Sequence, residues 1–272
     1  MKATLIQMNA GADPSANIAT AHRLIEQAVV QERPDLIVLP ECFTSFGGTA
    51  ETQMAAAEPC PGGAGYEMLA GMARQHGVFI HGGSLTELKD GRRHNTSFVF
   101  DRAGREVAAY RKMHLFSITA PDGTVYDEGR VYTAGDDVVT YDMDGVLVGC
   151  AICYDMRFPE LFRALIEKGA EVIVIPAAFT LQTGKEHWEP LLRARAIETQ
   201  CYVLAPGQEG RYEEDGETLY TYGHSLIVDP WGGVIARRPL GEGLVSARLE
   251  RDAIARARRL IPLASHRRLP AA

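Results

Sequence analysis

Apolar residues recur along this chain with the spacing of helices in some segments and of strands in others. Residues 1–9 predict an early strand. Residues 14–29, which begin at the proline of the Asp13-Pro14 pair, predict a helix. Residues 35–40 form a short, wholly apolar segment, which is typical of a strand buried on both faces. The same order returns later, with a predicted helix at residues 159–169 and a strand at residues 171–176.

These two helix–strand units resemble each other. Residues 36–43 align with residues 172–179, and in both segments an apolar strand runs into a proline, with a phenylalanine three positions later. We interpret this likeness as a pseudo-repeat of one helix–strand layer. The alternative is that any two buried strands that end in proline look alike.

Shorter strands with alternating polarity fill the rest of the chain. They are predicted at residues 78–81, 96–100, 107–110, 145–152, 201–205, 224–229 and 244–249. Asp90-Gly91 and Glu214-Asp215-Gly216 predict hairpin turns. No linker rich in Pro, Gly or Ser divides the chain. The order of elements predicts an α/β fold with two sheets covered by helices, in a single domain over residues 1–272.

The composition is that of an ordinary globular chain, with 46% hydrophobic and 23% charged residues. The formal net charge of −7 argues against nonspecific binding to nucleic acid. The longest uncharged apolar run, residues 145–154, falls short of the ~20 residues that cross a bilayer. Five cysteines, an odd number without the spacing of a disulfide scaffold, are typical of the reducing cytoplasm.

Cys153 is the first candidate for chemistry. It follows the predicted strand at residues 145–152 and precedes a turn that leads into the helix opened by Pro159. A strand end gives a nucleophile rigid support and an exposed sulfur. The alternative is a buried structural cysteine, which is the commoner fate of an unpaired thiol.

Two other uses of this thiol have weaker support. Cys150 and Cys153 form a C-x-x-C motif, a zinc or redox signature, but residues three apart on a strand point to opposite faces. A Cys–His pair is also open, although no local sequence selects its histidine. The available histidines are His81, His114, His187 and His224.

Glu41 and Lys112 are candidates to assist a thiol nucleophile. Glu41 directly follows a buried apolar strand and a proline, where a carboxylate is costly unless it is solvated, paired or used as a general base. Lys112 lies in a basic segment with apolar neighbours, where a fixed ammonium would stabilise the negative charge on a carbonyl oxygen under attack. Taken singly, each also fits an ordinary solvated side chain.

Three segments together resemble the signature segments of the nitrilase, or carbon–nitrogen hydrolase, superfamily, and they occur in that family's order. They are Leu-Pro-Glu-Cys-Phe at residues 39–43, Tyr-Arg-Lys-Met-His-Leu-Phe at residues 110–116 and Cys-Tyr-Asp-Met-Arg-Phe-Pro-Glu-Leu at residues 153–161. The resemblance covers nearly the whole chain, because it continues through residues 187–189, 192–203, 222–225 and 228–232.

The resemblance implies a four-layer α-β-β-α sandwich and a Glu–Lys–Cys triad, which falls on Glu41, Lys112 and Cys153. It also implies a second glutamate after the lysine segment, matched by Glu128, which would orient Lys112. Cys153 would attack an amide carbonyl and form a thioester, with Glu41 as the base. Lys112 and the backbone N–H of Tyr154 would hold the oxyanion. This chemistry needs no metal and no organic cofactor.

Within the family, residues 195–202 and 222–225 are most similar to the branch that includes deaminated glutathione amidase. The omega-amidase branch is the nearest alternative, and N-carbamoyl amino acid amidohydrolases and nitrilases share the triad. Because such substrates carry carboxylates, we expect cationic side chains in the pocket. The substrate contacts expected on this basis are Phe43, Phe116 and Phe179 as apolar walls and Arg157 and Arg211 as carboxylate ligands.

Two further features are interpreted as structural. Arg195 and Glu198 fall on one helical face with apolar neighbours and are spaced to pair with each other, and a dimer interface is one place for such a pair. The basic tail from about residue 251 fits a solvated or dimer-crossing segment better than a nucleic-acid patch. Members of the family usually form homodimers, and we expect a homodimer here, with a small-molecule amide as substrate and with neither a nucleic acid nor a membrane as partner. A catalytically silent relative that binds a partner is the rival class, which the presence of all three catalytic residue types disfavours.

Overall fold

The computed structural model describes residues 1–119, 123 and 125–268. The helices are α1 (Pro14–Glu32), α2 (Ala50–Ala55), α3 (Ala64–His76), α4 (Pro159–Glu167), α5 (Leu181–Thr199), α6 (Arg251–Leu260) and α7 (Leu263–His266). The strands are β1 (Lys2–Gln7), β2 (Leu36–Val38), β3 (Glu58–Pro59), β4 (Phe79–His81), β5 (Leu85–Lys89), β6 (Arg92–Phe100), β7 (Glu106–Arg111), β8 (Ser117–Thr119), β9 (Val125–Asp127), β10 (Thr140–Met143), β11 (Val146–Cys150), β12 (Val172–Val174), β13 (Tyr202–Ala205), β14 (Glu209–Glu214), β15 (Glu217–Tyr222), β16 (Ser225–Val228), β17 (Val234–Arg238) and β18 (Gly243–Arg248). Two 3₁₀ helices lie at Glu128–Arg130 and Cys153–Arg157.

Helix α1 begins where the Asp-Pro pair predicts. The side chain of Asp13 accepts hydrogen bonds from the backbone N–H groups of Ser15 and Ala16, which have no partner inside the helix. Pro14 occupies the first turn, where its missing N–H costs nothing. Such a cap contributes about 1 kcal/mol to helix stability. The helix thereby presents its apolar face, which includes Leu24 and Ile25, to the first sheet.

Within the described residues, two large sheets form the centre of the molecule. The first has the spatial order β18-β1-β2-β4-β6-β5-β3, with β7 paired to β6, and the second has the order β10-β11-β12-β13-β16-β17. Helices α1 and α3 share a core with the first sheet, while α4 and α5 pack on the second. The predicted four-layer α-β-β-α sandwich is therefore confirmed.

Strand β2 shows how the apolar pattern builds these layers. Leu36 and Val38 belong to the core that the two sheets share, whereas Ile37 and Leu39 belong to the core under α1 and α3. All four side chains are fully buried. Each contributes about 1.5–3 kcal/mol relative to an exposed position, which is why a wholly apolar strand occupies the middle of the sandwich.

The predicted pseudo-repeat is confirmed by the topology. In the first sheet β1, β2 and β4 run parallel, and in the second sheet β11, β12 and β13 do the same. An antiparallel strand flanks each parallel trio on both sides, β18 and β6 in the first sheet and β10 and β16 in the second. Each sheet thus presents the carboxyl end of an equivalent central strand, β2 or β12.

The basic tail folds back on its own chain as α6. Ile254 and Ala257 are buried, and Arg251 forms an ion pair with Glu171 at 3.0 Å. The guanidinium of Arg258 donates to the carbonyl of Ala170. These contacts tie the tail to the loop before β12. No helix among the described residues combines the length and the apolar composition required to cross a bilayer.

Candidate active site

Glu41 lies just past the carboxyl end of β2 and is 2% exposed. Its carboxylate accepts three hydrogen bonds: from Lys112 Nζ at 2.9 Å and Asn95 Nδ2 at 3.0 Å on Oε1, and from the backbone N–H of Ala178 at 2.7 Å on Oε2. Ala178 follows β12, so the pseudo-repeat places the two central strand ends against each other. A buried anion is tolerated here because each of these three contacts is a donor.

Lys112 follows β7 and has a fully buried ammonium. Its Nζ lies 2.9 Å from Glu41 Oε1 and 2.8 Å from the Glu128 carboxylate. Glu128 begins the 3₁₀ helix Glu128–Arg130 and also accepts the backbone N–H of Phe116 at 2.9 Å. Burial opposes the charge on Lys112, but the carboxylates of Glu128 and Glu41 outweigh it and raise the pKa of Lys112 above its ordinary value. Burial raises the pKa of Glu128.

Cys153 begins the 3₁₀ helix Cys153–Arg157, shortly after the end of β11. Its φ of 44° lies in the left-handed region, which is uncommon for a residue with a side chain and marks strain at a functional turn. The backbone N–H of Cys153 donates to the carbonyl of Pro176 at 2.9 Å. This bond anchors the turn to the end of β12.

Asp155 holds the cysteine turn and the lysine segment together. Its fully buried carboxylate accepts the hydroxyl of Tyr110 and the ring Nδ1 of His114, each at 2.7 Å. It also accepts the backbone N–H groups of Ile152 at 2.8 Å and of His114 at 3.0 Å. Tyr110 and His114 lie on either side of Lys112 in sequence, so one carboxylate fixes both segments.

The Cys153 thiol is buried close to Glu41 and Lys112, near enough for the charge of each to act on it. Burial is the main reason that the pKa of Cys153 is raised well above its ordinary value, and the negative charge of Glu41 adds to it, against the opposing effect of Lys112. At rest Cys153 is therefore a thiol. Such a thiol becomes a nucleophile only when the carboxylate takes its proton.

The amides around Cys153 include one that is available to a substrate. Cys153 and Asp155 donate their backbone N–H groups to the carbonyls of Pro176 and Ile152. Among the residues that the structure describes, the backbone N–H of Tyr154 between them donates to no carbonyl. Such an amide next to a thiol is suited to hold an oxyanion.

A cavity of about 380 Å³ opens above these groups, within the size range of small-molecule sites. Glu41, Glu128, Cys153 and Tyr154 line it. Phe116 and Phe179, expected as apolar walls, line it as well. The opposite wall comes from the hairpin of β14 and β15, which contributes Tyr212, Glu214, Asp215, Glu217 and Leu219.

Three of the expected substrate contacts lie away from this cavity, and the expectation is corrected for them. Phe43 is fully buried in the core under α1 and α3, because Cys42 adopts a φ of 54° and turns the chain inward. Arg157 lies behind the cavity wall, over the rings of Tyr154 and Phe179, and bonds to His187. Arg211 points into solvent and pairs with Glu213 at 2.6 Å.

The rival uses of Cys153 find no partners in the described part of the chain. No histidine is among the described residues that line the cavity. Cys150 is buried in the core shared by the two sheets, away from the described lining of the cavity. Over residues 1–119, 123 and 125–268 no group of His, Cys, Asp or Glu side chains is arranged to hold a metal ion. Arg195 and Glu198 pair at 2.6 Å, as predicted, and Arg195 also donates to the carbonyl of Met156 in the cysteine turn.

The structure adds four residues that the sequence reasoning missed. Asn95 contacts Glu41, and Asp155 joins the two segments described above. Arg130 is the one cationic side chain among the described residues lining the cavity, and Ser45 lines it with a buried hydroxyl that has no hydrogen-bond partner in the described chain. No signal in the sequence pointed to Asn95, because the predicted strand at residues 96–100 begins one residue after it.

Comparisons with known proteins agree with this geometry. A sequence profile of the family described as carbon-nitrogen hydrolase matches residues 2–259. The chain is 38% identical to a deaminated glutathione amidase of Synechocystis sp., over 97% of both chains. It is 36% identical to the human omega-amidase NIT2, over 97% of this chain and 94% of the relative. The crystal structure of Nit3 from Saccharomyces cerevisiae superposes with a TM-score of 0.88 at 31% identity, covering 99% of this chain and 97% of the other.

Proposed function

The chain belongs to the carbon–nitrogen hydrolase family, and from this membership we propose that it is a cysteine-dependent amidohydrolase that cleaves the terminal amide of a small carboxylate-bearing substrate. The products are an acid and either ammonia or, where the amide nitrogen carries a substituent, the corresponding amine. The observation that carries the proposal is that Glu41 and Cys153 line one cavity and that the Lys112 ammonium contacts Glu41 at 2.9 Å. Deaminated glutathione is the proposed substrate, in line with the Synechocystis relative, and its leaving group is the amine cysteinylglycine.

Acylation begins with proton transfer from the Cys153 thiol to Glu41 as the sulfur attacks the amide carbon. The C=O electron pair moves onto oxygen, and the ammonium of Lys112 and the backbone N–H of Tyr154 stabilise that oxyanion. When the oxyanion collapses, the C–N bond breaks and Glu41 returns the proton to the departing nitrogen. Ammonia, or the amine where the nitrogen is substituted, leaves, and a thioester joins the acyl group to the sulfur.

Deacylation repeats these steps with water. Glu41 takes a proton from the water as its oxygen attacks the thioester carbon, and the same two donors hold the oxyanion. The C–S bond then breaks, the acid leaves and the sulfur regains its proton from Glu41. Glu128 holds the Lys112 ammonium from the side opposite Glu41, so that its charge persists throughout the cycle.

Arg130 is the proposed ligand for a substrate carboxylate, in place of Arg157 and Arg211. A guanidinium binds a carboxylate through paired hydrogen bonds, and Arg130 belongs to the short helix that also carries Glu128. The facing hairpin presents Glu214, Asp215 and Glu217, which would repel a second carboxylate on that side. This charge arrangement favours a second candidate function, an omega-amidase that acts on a substrate with a single carboxylate.

We also propose a homodimer in the cytoplasm. All five cysteines are free in the structure, which suits a reducing compartment. Ile197 on α5 and Trp231 beyond β16 are about half exposed, and a second copy of the chain would cover them. Light scattering on the purified protein tests the oligomeric state, and a monomer at micromolar concentration contradicts the dimer.

An assay of hydrolysis tests the function, with cysteinylglycine measured for deaminated glutathione and ammonia measured for the other substrates. The panel contains deaminated glutathione, α-ketoglutaramate, an N-carbamoyl amino acid and a simple nitrile. We expect the highest kcat/KM for deaminated glutathione. A preference for α-ketoglutaramate moves the assignment to omega-amidase, and release from none of the four contradicts the proposed function.

A further inference from the structure

We propose that Asn95 is a positioning residue that orients the Glu41 carboxylate and keeps it charged for its reaction with Cys153. The inference deepens the proposed function, because it concerns the base of that reaction. Asn95 lies in the middle of β6 and is 1% exposed. Its Nδ2 is 3.0 Å from Glu41 Oε1, and its backbone carbonyl accepts the N–H of Lys112 at 2.8 Å.

The donors around Glu41 are divided unequally between its two oxygens. Oε1 accepts two hydrogen bonds, from Asn95 and Lys112, which use its two lone pairs. Oε2 accepts one, from the backbone N–H of Ala178, and keeps capacity for one more. The thiol proton therefore has Oε2 as its acceptor, and Asn95 contributes by saturating the other oxygen.

The orientation of the Asn95 amide supports this role. Its Oδ1 is buried and receives no hydrogen bond from any residue that the structure describes. Turning the amide over would set Oδ1 against Glu41 Oε1, two acceptors in contact. In this orientation Nδ2 donates to the Glu41 carboxylate, and Oδ1 stays without a hydrogen bond among the described residues. A side chain that served packing alone would have no such preference.

Asn95 also suits this role because its donor is uncharged. Lys112 already supplies the positive charge beside Glu41 and is shared with Glu128. A neutral amide adds a hydrogen bond that favours the ionised form of Glu41 without a second cation that would compete for the thiolate.

Gln208 supplies a matched control on the same glutamate. Its Nε2 donates to the backbone carbonyl of Glu41 at 2.9 Å, and its Oε1 accepts the N–H of Ala10 at 2.9 Å. It is as buried as Asn95 and supports the same turn, yet its hydrogen bond goes to the backbone of Glu41 rather than to the carboxylate. A purely structural effect would be shared by both amides, whereas an effect on the charge of Glu41 belongs to Asn95 alone.

The test compares Asn95→Ala, Asn95→Asp and Gln208→Leu with the unmodified protein, with kcat and KM measured from pH 5 to 9. Loss of a hydrogen bond to an anion raises the pKa of that anion. For Asn95→Ala we therefore expect the midpoint of the acidic limb of the kcat/KM profile to move to a pH about one unit higher. We also expect kcat to fall about tenfold while KM changes little. For Gln208→Leu we expect a lower melting temperature and an acidic limb of the kcat/KM profile at the same pH as in the unmodified protein.

Asn95→Asp gives the sharpest contrast. At neutral pH a second carboxylate would repel Glu41, so this variant is less active than Asn95→Ala. As the pH falls, the introduced carboxylate takes up a proton and becomes a donor to Glu41, and the activity of Asn95→Asp relative to Asn95→Ala increases. An acidic limb that stays at its original pH in both Asn95 variants overturns the proposal, as does an equal shift in Gln208→Leu.

A second readout separates this proposal from the choice of substrate. The rate at which iodoacetamide labels Cys153, followed by peptide mass spectrometry, depends on Glu41 as base and needs no amide substrate. We expect its pH dependence to shift in Asn95→Ala and not in Gln208→Leu. If no amide in the panel is hydrolysed but this shift is present, the proposed function fails and the role of Asn95 stands. If ammonia is released but labelling is unchanged, the role of Asn95 fails alone.

Discussion

Replacing Lys112 with Met removes the cation between Glu41 and Glu128 and leaves the volume of the side chain nearly unchanged. The Lys112 side chain is fully buried, and the side chains of Glu41 and Glu128 are 3% and 23% exposed. Without the ammonium, the Glu41 carboxylate keeps the hydrogen bonds from Asn95 and Ala178, while Glu128 keeps partial access to solvent.

The size of the effect follows from this burial. Removing one partner of a buried ion pair costs about 3–5 kcal/mol because the remaining charge is uncompensated. Since Glu128 is partly hydrated and Glu41 retains two donors, we expect the lower end, about 3 kcal/mol. For a domain of this size that corresponds to a fall in melting temperature of about 6–12 °C. The proposed role of Lys112 as an oxyanion donor also predicts a fall in kcat of about 10²–10³.

The pH dependence separates this mechanism from a packing defect. The ion pairs raise the pKa of Lys112, so the stability it contributes is fully present below its unfolded-state pKa and is lost only as the pH rises through the folded value. In Lys112→Met, burial raises the pKa of Glu128 with no cation to offset it. Protonation then relieves the repulsion between the two carboxylates, and the stability deficit shrinks as the pH falls from about 8 towards 5.

Urea unfolding at several pH values measures the deficit, with Lys168→Met as the control because Lys168 is exposed on the surface. Adding Glu128→Gln to Lys112→Met should recover part of the lost stability without restoring kcat. A deficit below about 1 kcal/mol, or one that is constant from about pH 5 to 8, refutes the reasoning.

Three other predictions follow from contacts outside that pair. Asp155→Ala leaves the partners of a buried carboxylate unsatisfied, so we expect a loss of about 2–4 kcal/mol in urea unfolding and loss of ammonia release; wild-type stability contradicts this. Arg130→Gln should raise KM for a carboxylate-bearing amide about tenfold with little change in kcat, and an unchanged KM excludes Arg130 as the ligand. Burial raises the pKa of Glu87, but hydrogen bonds from Arg111 and Thr96 outweigh it and leave the pKa below its ordinary value. The stability gained from Glu87 is therefore present at neutral pH and lost as the pH falls through the folded value, so thermal melts of Glu87→Gln and the unmodified protein should converge towards about pH 4.

The layers of the fold could be predicted from the sequence because each depends on a local pattern. Strand β2 is apolar at every position, and its alternate side chains enter the two cores on either side of the first sheet. The repeat of helix and strand before Pro40 and before Pro176 predicted equivalent strands, and the parallel trios confirm it. These features need only the period of the apolar residues and the position of helix caps.

The walls of the cavity could not be predicted in the same way. Phe43 and Phe179 occupy equivalent places in the repeat, yet Phe43 enters the core and Phe179 lines the cavity. The difference arises from the backbone at Cys42 and from the hairpin of β14 and β15 that closes the far side. Similarly, whether Arg130 or Arg157 reaches the cavity depends on how segments that are distant in sequence pack together. The local sequence pattern does not predict that packing.

Polar residues that act through others were the hardest to predict. Asp155 stands next to Tyr154 in a segment that resembles the family, but its partners Tyr110 and His114 lie 45 and 41 residues earlier in the chain. Asn95 directly precedes the predicted strand at residues 96–100, and nothing in its local sequence relates it to Glu41. Both are recognisable only when the strands are paired, because the satisfaction of buried polar groups is a three-dimensional property.

The central claim is that the Cys153 sulfur is the nucleophile of an amide hydrolysis. Ammonia release from α-ketoglutaramate by Cys153→Ala, with Cys150→Ala as the matched control, tests it most directly, because both thiols are buried and, of the two, Cys153 lines the cavity. We predict that Cys153→Ala is folded by circular dichroism and releases no ammonia above background, while Cys150→Ala retains hydrolysis of the same substrate. Continued turnover by folded Cys153→Ala contradicts the account.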